Sequence, residues 1–259
     1  MSQPTHTRHL SAAQQRSLVI SRKHNAAALL TAEGRLQAGL ERALAFGTGY
    51  AAGSGLGLLR SASRGIAAAF AATILAGRRA ARRAGRDRML DELGIPGRDI
   101  ETADSLAADK RRARQTAAAF AGYWLASARK SLDVAGSERA AIGEANGAQL
   151  FRLRMDATTE ASTAYTAERS AVARAIVPLT KHLAVVPWKV WCSALEKETC
   201  DQCAGAHGEM VVMSDDFKLG EPGDVHPRCL CWFDVVWLLS SGGEADELEA
   251  GESLAELAA

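Results

Sequence analysis

Between Cys200 and Cys231 the chain sets out six side chains of the kind that bind borderline-soft metal ions: Cys200-Asp-Gln-Cys203, then His207, then His226-Pro-Arg-Cys229-Leu-Cys231. Four of the five cysteines fall in this window. A C-x2-C pair grips one Zn2+ from a tight turn, and a second ligand group farther along closes a tetrahedron around it. Thiolates suit this ion, and its binding free energy orders a segment whose apolar content is too small to fold alone. The window therefore predicts a structural zinc module, a knuckle or ribbon, at about residues 185–237.

Six candidates compete for four places. Cys200, Cys203 and Cys229 are the firmest. The fourth ligand is either His226 or Cys231: C-x-C chelates only through a strained turn, whereas His226 and Cys229 repeat the two-residue spacing of the first pair. That repetition favours His226 and leaves Cys231 open. His207 sits four residues past Cys203 beside Gly208 and reads as a solvent or supporting residue. Cys192 stands outside the spacing and reads as a buried apolar residue beside Trp191. The amino terminus lacks the apolar stretch of a secretory signal, so free thiols are expected rather than disulfides. His207-Gly-Glu209 imitates the H-x-E of zinc deaminases, but there the P-C-x-x-C follows, and here the C-x-x-C comes first.

Trp188-Lys-Val-Trp191, Cys200-x-x-Cys203, His207-Gly208 and His226-Pro-Arg-Cys229-Leu-Cys231 together resemble the carboxy-terminal domain of the phage Mu F-like head morphogenesis, or minor capsid, proteins. Thr159-Glu160-Ala-Ser-Thr-Ala164 resembles the helix that precedes that family's tryptophan and first cysteine pair. The resemblance spans residues 150–236. It departs from the family pattern at Leu230, where a basic residue is common, at Asp224-Val225, which replaces frequent prolines, and before Cys200, where no Asp-x-Arg stands. It implies a non-enzymatic minor virion protein of a tailed phage or prophage-like particle, acting in head morphogenesis. The implied location is the virion, at the capsid interior or portal vertex, after assembly in the host cytoplasm. The implied partners are the portal protein, the major capsid protein and packaged double-stranded DNA.

Upstream, composition carries more than motif. The chain is 47% hydrophobic with 5% aromatic residues, so alanine supplies much of its apolar content. Alanine favours helix but buries little area, which predicts a helical, extended amino-terminal part. Ser11-Ala-Ala-Gln14 has the form of a capping box, and leucines at near-helical spacing follow it, predicting a helix over about 11–45. Gly47, Gly49, Gly53, Gly55 and Gly57 then crowd a junction, where Gly49, Gly53 and Gly57 keep the four-residue spacing that lets helices approach closely. Gly53-Ser-Gly55-Leu-Gly57 is a poor dinucleotide loop. The uncharged runs 43–59 and 65–77 are each short for a bilayer and are split by Arg60 and Arg64, so no stable membrane span is expected.

Arg78, Arg79, Arg82, Arg83 and Arg86 follow with Arg88, spaced so that 78, 82 and 86 share one helix face. The run predicts a positive stripe for packaged DNA or an acidic partner, binding without sequence readout. Lys110-Arg-Arg-Ala-Arg114 adds a second basic cluster, and Gly94-Ile-Pro96-Gly97 between them marks a break. Further helices are expected over 100–136 and, as one or two, over 138–177, with Gly143 and Gly147 marking a break. After Pro178, β-branched and aromatic runs at 185–191, 210–213 and 232–237 predict short strands. Net charge is +1, yet all 31 Lys and Arg lie at or before Arg228 while seven of the 30 acids follow it. Residues 240–259 therefore read as an acidic tail.

The expected fold class is α+β: a helical arm at 1–98, a Mu F-like domain at 99–239 whose helices lead into the zinc module, and the tail. The competing reading is a zinc-dependent nuclease or nucleic-acid-modifying enzyme with His207 and Glu209 as acid and base. Against it, no adjacent His-His or Asp-His pair stands outside the cluster to activate water, and the adjacent His24-Asn25 lies far upstream of it in the chain.

Overall fold

The computed structural model describes residues 12–49, 55–95, 105–178, 185–193, 199–223, 225–226, 229 and 231–239, without the side chains of 12–23, 185 and 237–239. Four long helices come first, α1 (Ala12–Gly49), α2 (Gly55–Glu92), α3 (Leu106–Ala135) and α4 (Glu138–Ile176). Then follow β1 (Val185–Cys192), the short α5 (Asp201–Ala206), β2 (Met210–Val212) and β3 (Trp232–Leu239). The class is α+β, and the three strands stand where β-branched and aromatic residues concentrate. The capping box at Ser11 and the acidic tail lie outside the described residues.

Local chemistry ends these helices where the glycines fall. At the end of α2, Ile95 N donates to Leu90 O at 3.0 Å and Gly94 N to Asp91 O at 3.0 Å, with Gly94 at φ 69°. This is a Schellman motif, in which a left-handed glycine satisfies the last carbonyls. Gly136 closes α3 in the same conformation at φ 70°, and Ser137 Oγ accepts the Ala140 N–H at 3.3 Å to start α4. The expected break near Gly143 and Gly147 is absent: α4 runs through both. A Cβ at either position would meet nothing within 4 Å. Each glycine costs about 1 kcal/mol of helix propensity, which the burial of Ala141, Ala145, Leu153 and Ala157 on the same helix offsets.

The chain divides into two compact units, one from residues 31–80 and 104–161, the other from 1–30, 81–103 and 162–259. The first is wholly helical among its described residues. Leu59, Ala62, Ile66, Phe70 and Ile74 recur every three or four residues along α2 and are buried, as are Leu36, Leu40 and Leu44 of α1 and Ala113, Ala117, Phe120 and Trp124 of α3. Phe70 and Phe120 stack with centroids 4.4 Å apart, and Trp124 Nε1 donates to Asn146 Oδ1 at 2.8 Å. The alanine-rich stretches are packed within this unit, where alanines such as Ala62, Ala113 and Ala117 share the inward positions with the larger residues. Close helix approach occurs, but not at Gly49 or Gly57, where a Cβ would meet nothing; Gly53 is outside the described residues. It occurs at Gly47 and Gly65, where added Cβ atoms would lie 2.6 Å from Ile66 N and 2.7 Å from Gly47 O. By length and composition α2 could cross a membrane; Leu59, Ile66, Phe70 and Ile74 of it are packed in this core, whereas Leu56 is exposed.

The second unit holds the antiparallel sheet in the order β2-β1-β3, with Val190 opposite Met210 on one side and Asp234 on the other. Its core joins Met89, Leu90 and Leu93 of α2, Val172, Ala173 and Ile176 of α4, Trp191 and Phe233 of the sheet, and Met213 and Phe217 between strands. Arg169 of α4 is fully buried and holds this unit together. It reaches Glu92 Oε2 at 2.6 Å, Phe233 O at 2.7 Å and Asp234 Oδ1 at 3.3 Å. Asp234 also accepts from Trp232 Nε1 at 3.2 Å and from the Cys192 thiol at 3.4 Å. Cys192 is buried as expected, but as a donor in this polar network rather than an apolar filler, and burial pushes its pKa up.

Candidate metal centre

Two turns bring five donors together. Cys200 is the N-cap of α5, and its Sγ accepts the Cys203 N–H at 3.4 Å, so the C-x2-C spacing folds into one tight loop with both sulfurs on the same side. The second loop repeats the device: Cys229 N donates to His226 O at 3.2 Å. Across the loops, His226 Nε2 lies 3.1 Å from both Cys200 Sγ and Cys203 Sγ, and Cys203 Sγ lies 3.7 Å from Cys229 Sγ. Cys231 closes a triad with Cys203 and Cys229. All five predicted ligands, Cys200, Cys203, His226, Cys229 and Cys231, therefore converge. His207 does not join them: it is exposed, and its Nδ1 accepts the Ser193 N–H at 3.2 Å.

The donor set fits a thiophilic divalent ion. With Zn–S bonds of ~2.3 Å a regular tetrahedron has S···S edges of ~3.8 Å, close to the 3.7 Å between Cys203 and Cys229. The thiols' acidities point the same way. The hydrogen bond from Cys231 draws Cys229 down to about 5, whereas burial, with the Cys229 charge adding to it, pushes Cys203 up to about 12. Cys231, donating to Cys229 and buried, is raised, and Cys200 is lowered by the Cys203 N–H. Crowded sulfurs ionise singly at each other's expense, and a dication lets them ionise together. Four places and five donors leave the choice between His226 and Cys231 as the fourth ligand; His226, in contact with both sulfurs of the first pair, is the better placed.

One contributor was not singled out in the sequence. Ser162 of α4 is buried, and its hydroxyl stands 2.6 Å from Cys229 O and 3.3 Å from Gly223 O. Gly223 sits at φ 87°, and a Cβ there would come within 2.8 Å of Ser162 Oγ. The second ligand loop thus lies flat on α4 with Ser162 fixing its carbonyls. The only signal was Ser162's place in the small-residue run Thr159–Ala164, which does not reveal a contact 67 residues away.

The acid and base of the enzymatic reading do not converge on the cluster. Glu209 Oε1 accepts the Lys218 N–H at 3.1 Å, and its carbonyl accepts the Trp191 N–H at 2.8 Å. Among the described residues no carboxylate belongs to either metal-type group.

The arginine stripe is corrected. Arg78 is buried, with Asp109 at 2.9 Å and Glu160 at 2.5 Å. Within the other unit, Arg82 and Arg86 reach Glu168 at 3.3 and 4.0 Å. Only Arg79 and Arg83 of the five are exposed. Position 78 continues the inward stripe of α2, four residues after Ile74, so its cation replaces a core side chain and meets carboxylates that α3 and α4 place inside. Local spacing showed a shared face for 78, 82 and 86; it did not show that the face pointed inward.

No family model, curated protein or solved structure matches this chain.

Proposed function

We propose that the chain is a non-enzymatic minor virion protein of a tailed phage or prophage-like particle, similar to the Mu F-like head morphogenesis proteins and working near the portal. The observation that carries this reading is the thiol and imidazole cluster on two matched turns: Cys200, Cys203, His226, Cys229 and Cys231, five residues of the motif that bears the resemblance, meet in space. Zn2+ bound there supplies cross-linking of the two loops, with Cys200, Cys203, Cys229 and His226 as the holders and Cys231 in reserve. Ser162 and the helix behind it orient the second loop, and the sheet carries the first. The absence of a carboxylate from the cluster, among the described residues, and the engagement of Glu209 elsewhere support a structural rather than hydrolytic role. The portal or major capsid protein is the partner, and packaged DNA is within reach of the basic helices.

Two measurements test this. Elemental mass spectrometry should find one zinc per chain, lost in Cys203→Ser and kept in Glu209→Gln; a metal-free wild-type chain would remove the structural basis. Particles purified from a strain carrying the gene should contain the chain at low copy and cross-link it to the portal or major capsid protein. Recovery only outside particles would sink the virion reading while leaving the metal centre standing.

A further inference from the structure

Five exposed cations of α3 have no ion pair among the described residues. Lys110, Arg111, Arg114, Arg129 and Lys130 are all exposed. Asp109, the acid nearest them in sequence, is buried on Arg78, and Glu160 of α4 is buried on Arg78 and Arg112. The inner cations thus consume the inner acids. No other acid occurs on α3 before Asp133, which is exposed one turn past Arg129 and Lys130 without a salt bridge to either, and on the opening turns of α4 Glu138 accepts the Gly55 N–H while Glu144 is exposed. The helical unit as a whole has 15 Lys and Arg against nine Asp and Glu, a net +6 in a chain whose total is +1.

The arrangement is linear. Arg111 and Arg129 are 18 residues apart, which is five full helical turns, so they share one azimuth about 27 Å apart. The exposed positions between them include Ala118, Ala119, Gly122 and Ala126, too short to hold another surface at a distance. Tyr123 is the one exposed aromatic there, and the Arg152 guanidinium covers its ring at 3.7 Å.

We propose that this face of α3 lies along the phosphate backbone of double-stranded DNA and binds it without reading sequence. A rigid rod with cations at both ends and a flat middle suits a rod that carries one charge per ~1.7 Å of its axis. Between the clusters the long polar side chain is Gln115, next to the first cluster, and the one exposed aromatic already carries a guanidinium, so the middle of the face has little with which to read base edges or stack on single strands. This deepens the virion reading by naming the DNA-contacting surface, and it moves that surface from the α2 arginine run to α3.

The test is fluorescence anisotropy of the purified full chain with two short duplexes of unrelated sequence, titrated with salt. Five phosphate contacts give a slope of log affinity against log salt of about −4.5, the same for both duplexes. Lys110→Gln/Arg111→Gln/Arg114→Gln should make that slope shallower by about 2.7, and Arg129→Gln/Lys130→Gln by about 1.8. Arg174→Gln/Lys218→Gln, which removes two exposed cations of the other unit, should change nothing. Circular dichroism checks that each variant is folded. The proposal is overturned if the wild type binds neither duplex at low salt, if the α3 variants keep the full slope, or if the control variant loses as much. Binding of polyglutamate in place of duplex would overturn it in favour of an acidic protein partner. Loss of DNA binding alongside intact particle association would remove this surface and leave the virion reading in place.

Discussion

Replacing Arg78 by methionine tests whether the first arginine of the run is core or surface. Its side chain is 7% exposed and those of Asp109 and Glu160 are 1% and 2%, so solvent screens little of the interaction. Glu160 keeps Arg112 Nε at 3.1 Å and Thr116 Oγ1 at 2.7 Å, so the larger loss falls on Asp109. Breaking a buried pair by removing one partner costs about 3–5 kcal/mol. With a urea m-value of ~2–3 kcal/mol/M, such a loss moves the midpoint down by roughly 1 M or more. Urea unfolding followed by the fluorescence of the buried Trp124 and its fellow tryptophans reads this directly. Arg78→Met/Asp109→Leu replaces the pair with apolar groups of similar size and should recover at least ~2 kcal/mol relative to the sum of the single losses. A midpoint that moves less than ~0.3 M in Arg78→Met, or single effects that simply add, would refute the buried triad. If Arg78 instead met a polyanion, the substitution would weaken DNA binding and leave the midpoint alone, so one variant separates the two accounts.

Ser162→Ala should weaken zinc affinity by roughly ten- to a hundredfold without abolishing binding, measured by chelator competition, because the groups that orient ligands matter nearly as much as the ligands; unchanged affinity would show that the second loop is held without it. Asp156, held by burial at about 6 with Arg152 opposing and Glu160 adding to the rise, makes stability depend on pH. Its folded pKa is above the unfolded value, so its favourable contribution is complete below about 4 and is lost as pH rises through about 6. Asp156→Asn should therefore match the wild type near pH 4 and exceed it by about 1–2 kcal/mol above pH 7, the full shift being discounted for partial exposure; equal denaturation midpoints at pH 7.5 would contradict this. Gly47→Ala should cost about 1–3 kcal/mol through collision with the α2 backbone, whereas Gly147→Ala, in open space within α4, should gain about 0.5–1 kcal/mol. Thermal melts that rank these two variants the other way would place the close helix contact elsewhere.

What could be read from the sequence, and what could not, follows the range of the interaction involved. The cysteine and histidine cluster was legible because a C-x2-C turn is closed by its own neighbours: the Cys203 N–H reaches the Cys200 sulfur three residues back, and Cys229 N donates to His226 O over the same spacing. The α2 stop at Gly94 was legible for the same reason, a left-handed residue bonding within its own last turn. Strands at 185–192, 210–212 and 232–239 declared themselves by side-chain type. The break expected at Gly143 and Gly147 failed because a propensity cost of about 1 kcal/mol per glycine was weighed without the burial that the rest of α4 gains. Arg78 and Ser162 fail in a different way. Each acts on residues 31 to 82 positions away, and charge or small size is normally a sign of exposure or indifference. The inward stripe of α2 nonetheless contained the information: stepping by three or four from Leu59 through Ile66, Phe70 and Ile74 lands on Arg78 before it lands on Ala81. A cation on that register requires buried acids, and Asp109 and Glu160 supply them. That same requirement holds Asp109 and Glu160 inside, away from the exposed cations of α3. The positive surface and the buried triad are therefore one consequence of a single arginine placed in a core position.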